Sequence, residues 1–555
     1  MTRYAQSCIV TLKSTKCVAD GTGSGIMIDT VQGFIITHAS LLGAIVLKDQ
    51  HLQNVVLSQL DSLSEEIVGH VSVEVILERS SRDNSSKHYL SQDVLLSKYQ
   101  SALVSSTITS RNPDLSTHAG SVVSLFKCGR FENALKHLTP QRDWQFTDTS
   151  DDGKLNNNVS LKEKHDAEVI TFKLLPYCLL IKVDNLVPYK SALSVRSPTL
   201  CHIGEAAEIC ATPFGNLFPN VLVNSYSRGV ISNLAGKNRC IILTDARCIP
   251  GSEGGPLYTL VDSNRCLTGM IVTSLCWKNS EWIGLSLACS IDEILENLAT
   301  SGVSVKSARN TISSLWKHTH SMENISAMFE NIALIKVDNS WGSGVTIDPV
   351  RKIVLTCSHV IKHGRSHTVN LKPKPNGDFL KCEVLWHSPP TEQFDLAVVK
   401  YSGHSQRHAA TVSPGVPTEG SLVYVIGHGV FGAEHNLSPS VTVGVVSKVI
   451  TVNQIPVMIQ TTCAVHPGAS GGALIDKHGH LVGIVVCNAK DVSSGACFPH
   501  VNLSIPMNTI WPVIHKYCSG GDVGVLNSLH LKNPAIDNMW TLGNETSVNQ
   551  FISRL

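Results

Sequence analysis

The sequence predicts an all-β chain made of two copies of one strand-rich unit, the first copy degenerate and enlarged by an insertion. Three observations carry this. An internal repeat keeps its order: GSGIMID (23–29) matches GSGVTID (342–348), PGSEGGPL (250–257) matches PGASGGAL (467–474), LTGMIV (267–272) matches LVGIVV (481–486), and GLSLA (284–288) matches NLSIP (502–506). Each copy shows short Val/Ile-rich runs bounded by Gly, Pro, Asn and Asp, which is how many short strands in a sandwich or barrel read. The spacing then changes between copies. Gly23 and Gly342 lie 319 residues apart, but Gly254 and Gly471 only 217, so the first copy holds 102 extra residues, roughly at 60–170.

These matches divide the chain into a first unit over 1–300, a connection over 301–325, a second unit over 326–516 and an extension over 517–555. Inside the insertion, SSRDNSSKH and DTSDDGKLNNN are polar and lack apolar periodicity, which marks surface loop; HVSVEVIL alternates and adds a strand. The first unit closes on SIDEILENLA. Ser290 and Glu293 have capping-box spacing, and Ile291, Ile294, Leu295 and Leu298 share one helical face. The matching helix of the second unit falls near 507–517. The 40 or so residues that follow are too few for a PDZ-type peptide-binding module.

Composition excludes several classes. A formal charge of +1 over 555 residues gives no reason to expect nucleic acid or an anionic membrane as partner. No stretch reaches the roughly 18 unbroken apolar residues of a membrane span. The segment MTRYAQSCIVTLKST alternates like a first strand and lacks the apolar core of a secretory signal. Seventeen cysteines without C-x-x-C pairs then read as reduced thiols, and none has zinc spacing, so neither metal nor organic cofactor is expected.

The chemistry lies in the second unit. GASGGAL (468–474) presents Ser470 in a Gly-x-Ser-Gly-Gly turn, where the N–H groups of Gly468 and Ser470 aim at one point, an oxyanion hole. A serine hydroxyl needs a base, and the base an orienting acid. KIVLTCSHVI ends a strand in Thr356-x-x-His359, and FDLAVVK puts Asp395 at the mouth of an apolar run. A histidine after a strand or an aspartate before one is ordinarily a surface or turn residue. The three in the order His359, Asp395, Ser470 point to nucleophilic acyl transfer.

The TCSHV, FDLAVVK and GASGGAL segments resemble the HtrA/Deg branch of the trypsin-like proteases. The resemblance implies tandem trypsin-like units, each of two six-stranded β-barrels, with a catalytic cleft between the barrels of the second unit. It implies His359, Asp395 and Ser470 as triad, Gly468 and Ser470 as oxyanion donors, and Asn502, Leu503 and Ser504 as the strand that pairs with substrate backbone. Ser553-Arg554-Leu555 is a conservative variant of the Ser-Lys-Leu peroxisomal address. With that tail and the degenerate first unit, the chain resembles the trypsin-domain-containing processing proteases of the peroxisomal matrix and their glyoxysomal relatives. That family implies precursor proteins as substrates, an import receptor as partner, leader removal, processing of β-oxidation enzymes and self-cleavage. HtrA relatives often assemble, which leaves a homo-oligomer open.

Aligned through the repeat, the first unit has lost the triad. Thr37 matches Thr356, which puts Ser40 at the place of His359; the place of Asp395 falls at Tyr177 or Cys178, and that of Ser470 at Glu253. The unit reads as non-catalytic. Cys128, in LFKCGRF within the insertion, is the candidate self-cleavage position, against the plainer reading of a buried core thiol. Two other readings compete with the processing enzyme: a general HtrA-like quality-control protease, and an inactive protease-fold scaffold.

Overall fold

A computed structural model describes residues 3–4, 6–58, 67, 70–80, 115–139, 144–146, 161–186, 193–215, 217, 219–261, 264–278, 281–300, 309–311, 320–362, 368–389, 394–403, 409–490, 497–530, 533–541 and 552–553. The strands close into four six-stranded barrels, two per unit. The first is formed by Ser7–Ser14, Asp20–Asp29, Phe34–His38, Val71–Ser80, Leu115–Lys127 and Tyr177–Val183, the second by Ala206–Ala211, Ser225–Ala235, Ile241–Thr244, Pro256–Val261, Asn264–Lys278 and Glu281–Ser290. The third uses Ile332–Val337, Ser340–Asp348, Ile353–Thr356, Val369–Lys372, Leu380–His387 and Ala397–Tyr401. The fourth uses Leu422–Gly427, Ser440–Val452, Ile455–Thr461, Ala473–Asp476, Leu481–Lys490 and Cys497–Pro506. Closure removes the unpaired edges that open sheets must protect.

The insertion supplies body as well as loop. VSVEVIL lies in Val71–Ser80, a barrel strand that shares a core with Ile170 and Leu174 of helix Leu161–Leu174, and helix Gly129–Leu138 places Phe131, Leu135 and Leu138 in the core that also takes in the second barrel. The two polar stretches, 80–88 and 148–158, lie almost wholly outside the described residues. The closing helices form as the caps predict. Ser290 Oγ accepts from Glu293 N at 3.2 Å ahead of helix Ile291–Thr300, and the second unit closes with Met507–Gly520. Residues 301–325 hold more than a linker: Arg309–Thr311 adds a parallel strand to Leu193–Val195, and a helix starts at His320. All cysteines with described side chains are free thiols. No helix among the described residues is long and apolar enough to cross a membrane.

The extension packs onto the second unit. Leu526, Leu529, Ile536 and Trp540 join its core, and Trp540 Nε1 donates to the Val457 carbonyl at 3.2 Å. Beyond it, Ile552–Ser553 pairs antiparallel with Leu481–Lys490.

Equivalent hydrogen bonds repeat in the two units. Ser24 N donates to Glu253 O and Ser343 N to Ser470 O, both at 2.8 Å. Ser24 Oγ donates to Gly251 O at 2.9 Å and Ser343 Oγ to Gly468 O at 2.7 Å. Thr37 Oγ1 reaches Ser24 O at 2.6 Å and Thr356 Oγ1 reaches Ser343 O at 2.7 Å. The pairings Thr37 with Leu179 and Thr356 with Ala397 place Tyr177 where the second unit has Asp395. Duplication therefore extends below the sequence motifs to the polar bonds that hold each turn.

The units share an interface. Val430 and Phe431 of the second unit are buried in the core of the first. Asn233 Nδ2 donates to Ser438 O at 3.0 Å and Ser440 Oγ at 2.9 Å. Asp245 accepts from Val230 N within its own unit and from Val443 N across the interface, each at 2.7 Å. Burial pushes Asp245 up to about 6, against the pull of those two amides. The unfolded chain ionises Asp near pH 4, so it releases this proton first as pH rises. The contribution of Asp245 is therefore fully present below about pH 4 and is lost between about pH 4 and 6, by on the order of 3 kcal/mol. Chemical denaturation across that window should show the fall in wild type. Asp245→Asn should lack that component; equal pH slopes in the two proteins would contradict the assignment.

Candidate active site

The third barrel delivers two of the site residues. The fully buried strand Ile353–Thr356 leads into the short helix Ser358–Lys362, with His359 in its first turn. Ser358 Oγ ties that helix to Ser388 O at 2.8 Å. Ser388 also bonds the segment ahead of Ala397–Tyr401: its N–H donates to Leu396 O at 2.9 Å, and its Oγ accepts from Leu396 N at 3.2 Å. Asp395 is thereby fixed below His359. Its Oδ1 accepts the His359 backbone N–H at 2.9 Å, and its Oδ2 bonds His359 Nδ1. The carboxylate side chain is 1% exposed and the imidazole 5%, so little solvent screens the pair.

Ser470 comes from the fourth barrel, on the turn before Ala473–Asp476. Gly468 has φ +90° and Gly471 φ +83°. A Cβ at Gly468 would come within 2.2 Å of Trp341 Nε1, and one at Gly471 within 2.5 Å of Thr356 Oγ1 and 3.1 Å of Cys357 N. Both turns therefore need glycine, and the second shows how closely the serine loop lies against the strand end that bears His359. Ser343 holds the assembly together. It binds the loop through Ser470 O and Gly468 O, and it accepts His428 N at 2.8 Å. The Ser470 hydroxyl donates to the Val486 carbonyl at 2.9 Å.

The two amides named as oxyanion donors have a distinctive status. Neither Gly468 N nor Ser470 N donates to another group among the described residues, whereas Ala469 N, Gly471 N and Gly472 N all do. Buried amides are nearly always paired, so two left over on one turn mark a place for an outside acceptor. In the first unit the corresponding Gly251 N is taken: Glu253 folds back and accepts it through Oε2 at 2.7 Å. That unit thus plugs its own turn. His38, beside Ser40, bonds Leu175 O, and burial holds it down at about 4.

Two sequence expectations change. Asn502, Leu503 and Ser504 lie in an interior strand, paired to Ile455–Thr461 on one edge and Leu481–Lys490 on the other. Both edges being used, this strand cannot take up a substrate backbone. The strand beside the Ser470 turn is Leu481–Lys490: Gly471 N donates to Val485 O at 2.8 Å, and Val485 N to Gly472 O at 3.0 Å. Cys128 is 1% exposed and caps helix Gly129–Leu138, with its thiol 3.9 Å from that of Cys178; a protease could not reach it without opening the core. Of the tail, Ser553 lies in a strand, while Arg554 and Leu555 are outside the described residues.

Sequence reasoning did not single out Ser343, Val486 or Cys357. The Ser343 signal was present, since the repeat carries Ser24 at the same place in GSG. The Sγ of Cys357 lies within 4.8 Å of His359 and Asp395 ligand atoms, a spacing open to a metal. Both Asp395 oxygens, however, already serve His359, and the Cys357 thiol donates to Val485 O at 3.3 Å.

Comparison with known proteins agrees with this architecture. Residues 342–484 match the family model described as a trypsin-like peptidase domain. The peroxisomal leader peptide-processing protease of Homo sapiens is 33% identical over 355 residues, and that of Mus musculus 34% identical over 342 residues. Each match covers 60% of this chain and 59% of the relative, so the chain spans about three fifths of the length of these relatives. Protease Do-like 1, chloroplastic, of Arabidopsis thaliana is 29% identical over 198 residues, 34% of this chain and 42% of that protein. The residues that match a trypsin-like peptidase domain include His359, Asp395 and Ser470, and they lie in an all-β chain of tandem double barrels.

Proposed function

We propose that the chain is a peroxisomal serine endopeptidase that removes targeting leaders from imported precursor proteins and processes fatty-acid β-oxidation enzymes. The single observation that carries the chemistry is the imidazole of His359, clasped by Asp395 beside a serine-bearing turn with two unspent amides. Ser470 Oγ turns from Val486 O to His359 Nε2, gives up its proton and attacks the scissile carbonyl. The carbonyl oxygen, now negative, takes the N–H groups of Gly468 and Ser470. His359 returns the proton to the leaving amine, water repeats the sequence on the acyl-enzyme, and Asp395 keeps the imidazole oriented throughout.

The likeness to the human and mouse leader peptide-processing proteases supports the compartment and the substrates, and Ser553-Arg554-Leu555 supports binding to an import receptor. A fluorophosphonate probe should label wild type on Ser470 and lose at least a thousandfold in rate with His359→Ala. Absence of labelling in the intact wild type would remove the enzyme reading. An amino-terminally tagged chain lacking Leu555 should stay outside peroxisomes; unchanged import would overturn the receptor reading. Self-processing belongs to the same proposal, at a position other than Cys128. A nick found in wild type should be absent from Ser470→Ala, and an identical nick in both rules it out.

A further inference from the structure

Among the described residues, the edge of Leu481–Lys490 that faces the Ser470 turn has three neighbours in succession. Ala473–Asp476 pairs with its start, from Leu481 to Ile484. The nucleophile turn follows, bonded at Val485 and Val486. Then Ile552–Ser553 pairs antiparallel, Ser553 opposite Asn488 and Ile552 opposite Ala489. The other edge belongs to Cys497–Pro506 at the same residues, Asn488 to Asn502 and Ala489 to Phe498. Among the described residues, the tail therefore holds that edge next to the Ser470 turn.

Direction matters as much as position. The tail advances from Ile552 to Ser553 while its partner runs back from Ala489 to Asn488, so it heads toward Val486, whose carbonyl holds the Ser470 hydroxyl. Asn488 is two residues from Val486, about 7 Å along a strand. An extended peptide bringing its carbonyl to Ser470 along this edge would use the same backbone groups. Such recognition runs through main-chain hydrogen bonds and so accepts many sequences.

We propose that Ile552–Ser553 is a built-in occupant of the substrate edge: the chain's own tail competes with an incoming peptide for Asn488 and Ala489. The assignment rests on the reading of Ser470 as nucleophile. Its plausibility comes from the anchor upstream. Helix Pro534–Thr541 is held by Trp540, which is 2% exposed, bonds Val457 O and meets the Phe394 ring edge-on at 6.0 Å. The tail thus starts on the barrels it visits. Ten residues separate Thr541 from Ile552, a tether that raises the local concentration of the tail to about the millimolar range. Two residue pairs hold weakly, so competition shows in KM, by about three- to tenfold, and leaves kcat alone.

The test compares the full chain with one lacking 551–555, and with Ile552→Pro plus Ser553→Pro, which removes both backbone donors. Both altered forms should show the lower KM for an extended peptide substrate at unchanged kcat and unchanged thermal midpoint. In a Ser470→Ala background, a fluorescent peptide VNQFISRL should bind the shortened chain and bind the full chain at least threefold more weakly. Equal KM values, or equal peptide binding to the two Ser470→Ala proteins, would overturn the proposal. The binding arm needs no turnover, so it decides the tail assignment separately, while fluorophosphonate labelling of wild type reports on the nucleophile.

Discussion

Asp395→Asn is expected to lower kcat by about 10⁴ while the chain keeps its fold and its thermal midpoint to within a few degrees. The reason is the double engagement of the carboxylate. One oxygen accepts the His359 backbone N–H at 2.9 Å and the other accepts from Nδ1. An amide offers one oxygen and one NH2 group in the same volume. If its oxygen stays on the backbone N–H, the NH2 faces Nδ1 and forces that nitrogen to accept. The ring proton then sits on Nε2, where it blocks uptake of the serine proton. Single-turnover kinetics on a peptide substrate, with fluorophosphonate labelling alongside, measures the loss. Activity within tenfold of wild type would show that Asp395 is only a packing residue. Gly468→Ala tests the other half of the machinery less cleanly, because its Cβ would strike Trp341 and the His428 carbonyl and distort the loop as a whole.

Producing residues 326–555 alone should yield a protein that aggregates or melts well below the full chain and labels poorly with the same probe. Val430 and Phe431 are 3% and 4% exposed and sit in the first unit's core, so separation strips both. Re-exposing them costs about 3–6 kcal/mol, a large part of the 5–15 kcal/mol that holds a typical domain. The loss reaches the site through a short path. Val430 N donates to Pro467 O at 2.9 Å, and the neighbouring His428 O accepts Trp341 Nε1 at 3.0 Å beside Gly468. The first unit thus anchors the segment that shapes the nucleophile turn. Phe431→Ala in the full chain gives a milder version, about 3–5 kcal/mol less stable by denaturant titration. An isolated second unit with full-length stability and labelling rate would show that the interface has no such part.

Much of the site could be read from the sequence because its elements are local. Thr356-x-x-His359, the Asp395 ahead of an apolar run and the glycines around Ser470 each set a short turn, and the repeat independently aligned Thr37 with Thr356. The cap at Ser290 was legible for the same reason. The interior position of Asn502, Leu503 and Ser504 was not. LVGIVV and NLSIP both read as buried strands, and which of two such strands keeps a free edge depends on pairings between segments far apart in sequence. Burial of Cys128 was hidden likewise, since it arises from the helix after it packing against strands of both barrels in the first unit. Loss of the serine at Glu253 was plain, but not that its carboxylate would bend back two residues onto Gly251 N.

That bent carboxylate has a consequence for the working half of the molecule. A turn of the same build already accommodates a carboxyl oxygen at its glycine amide, 2.7 Å away. The chain therefore carries, within itself, a standing example of the hydrogen bond that its other turn leaves unmade. One copy answers the question permanently with its own side chain, which silences it. The other leaves the same amide to be answered by a visitor, so active-site titration should count one reactive serine for every polypeptide.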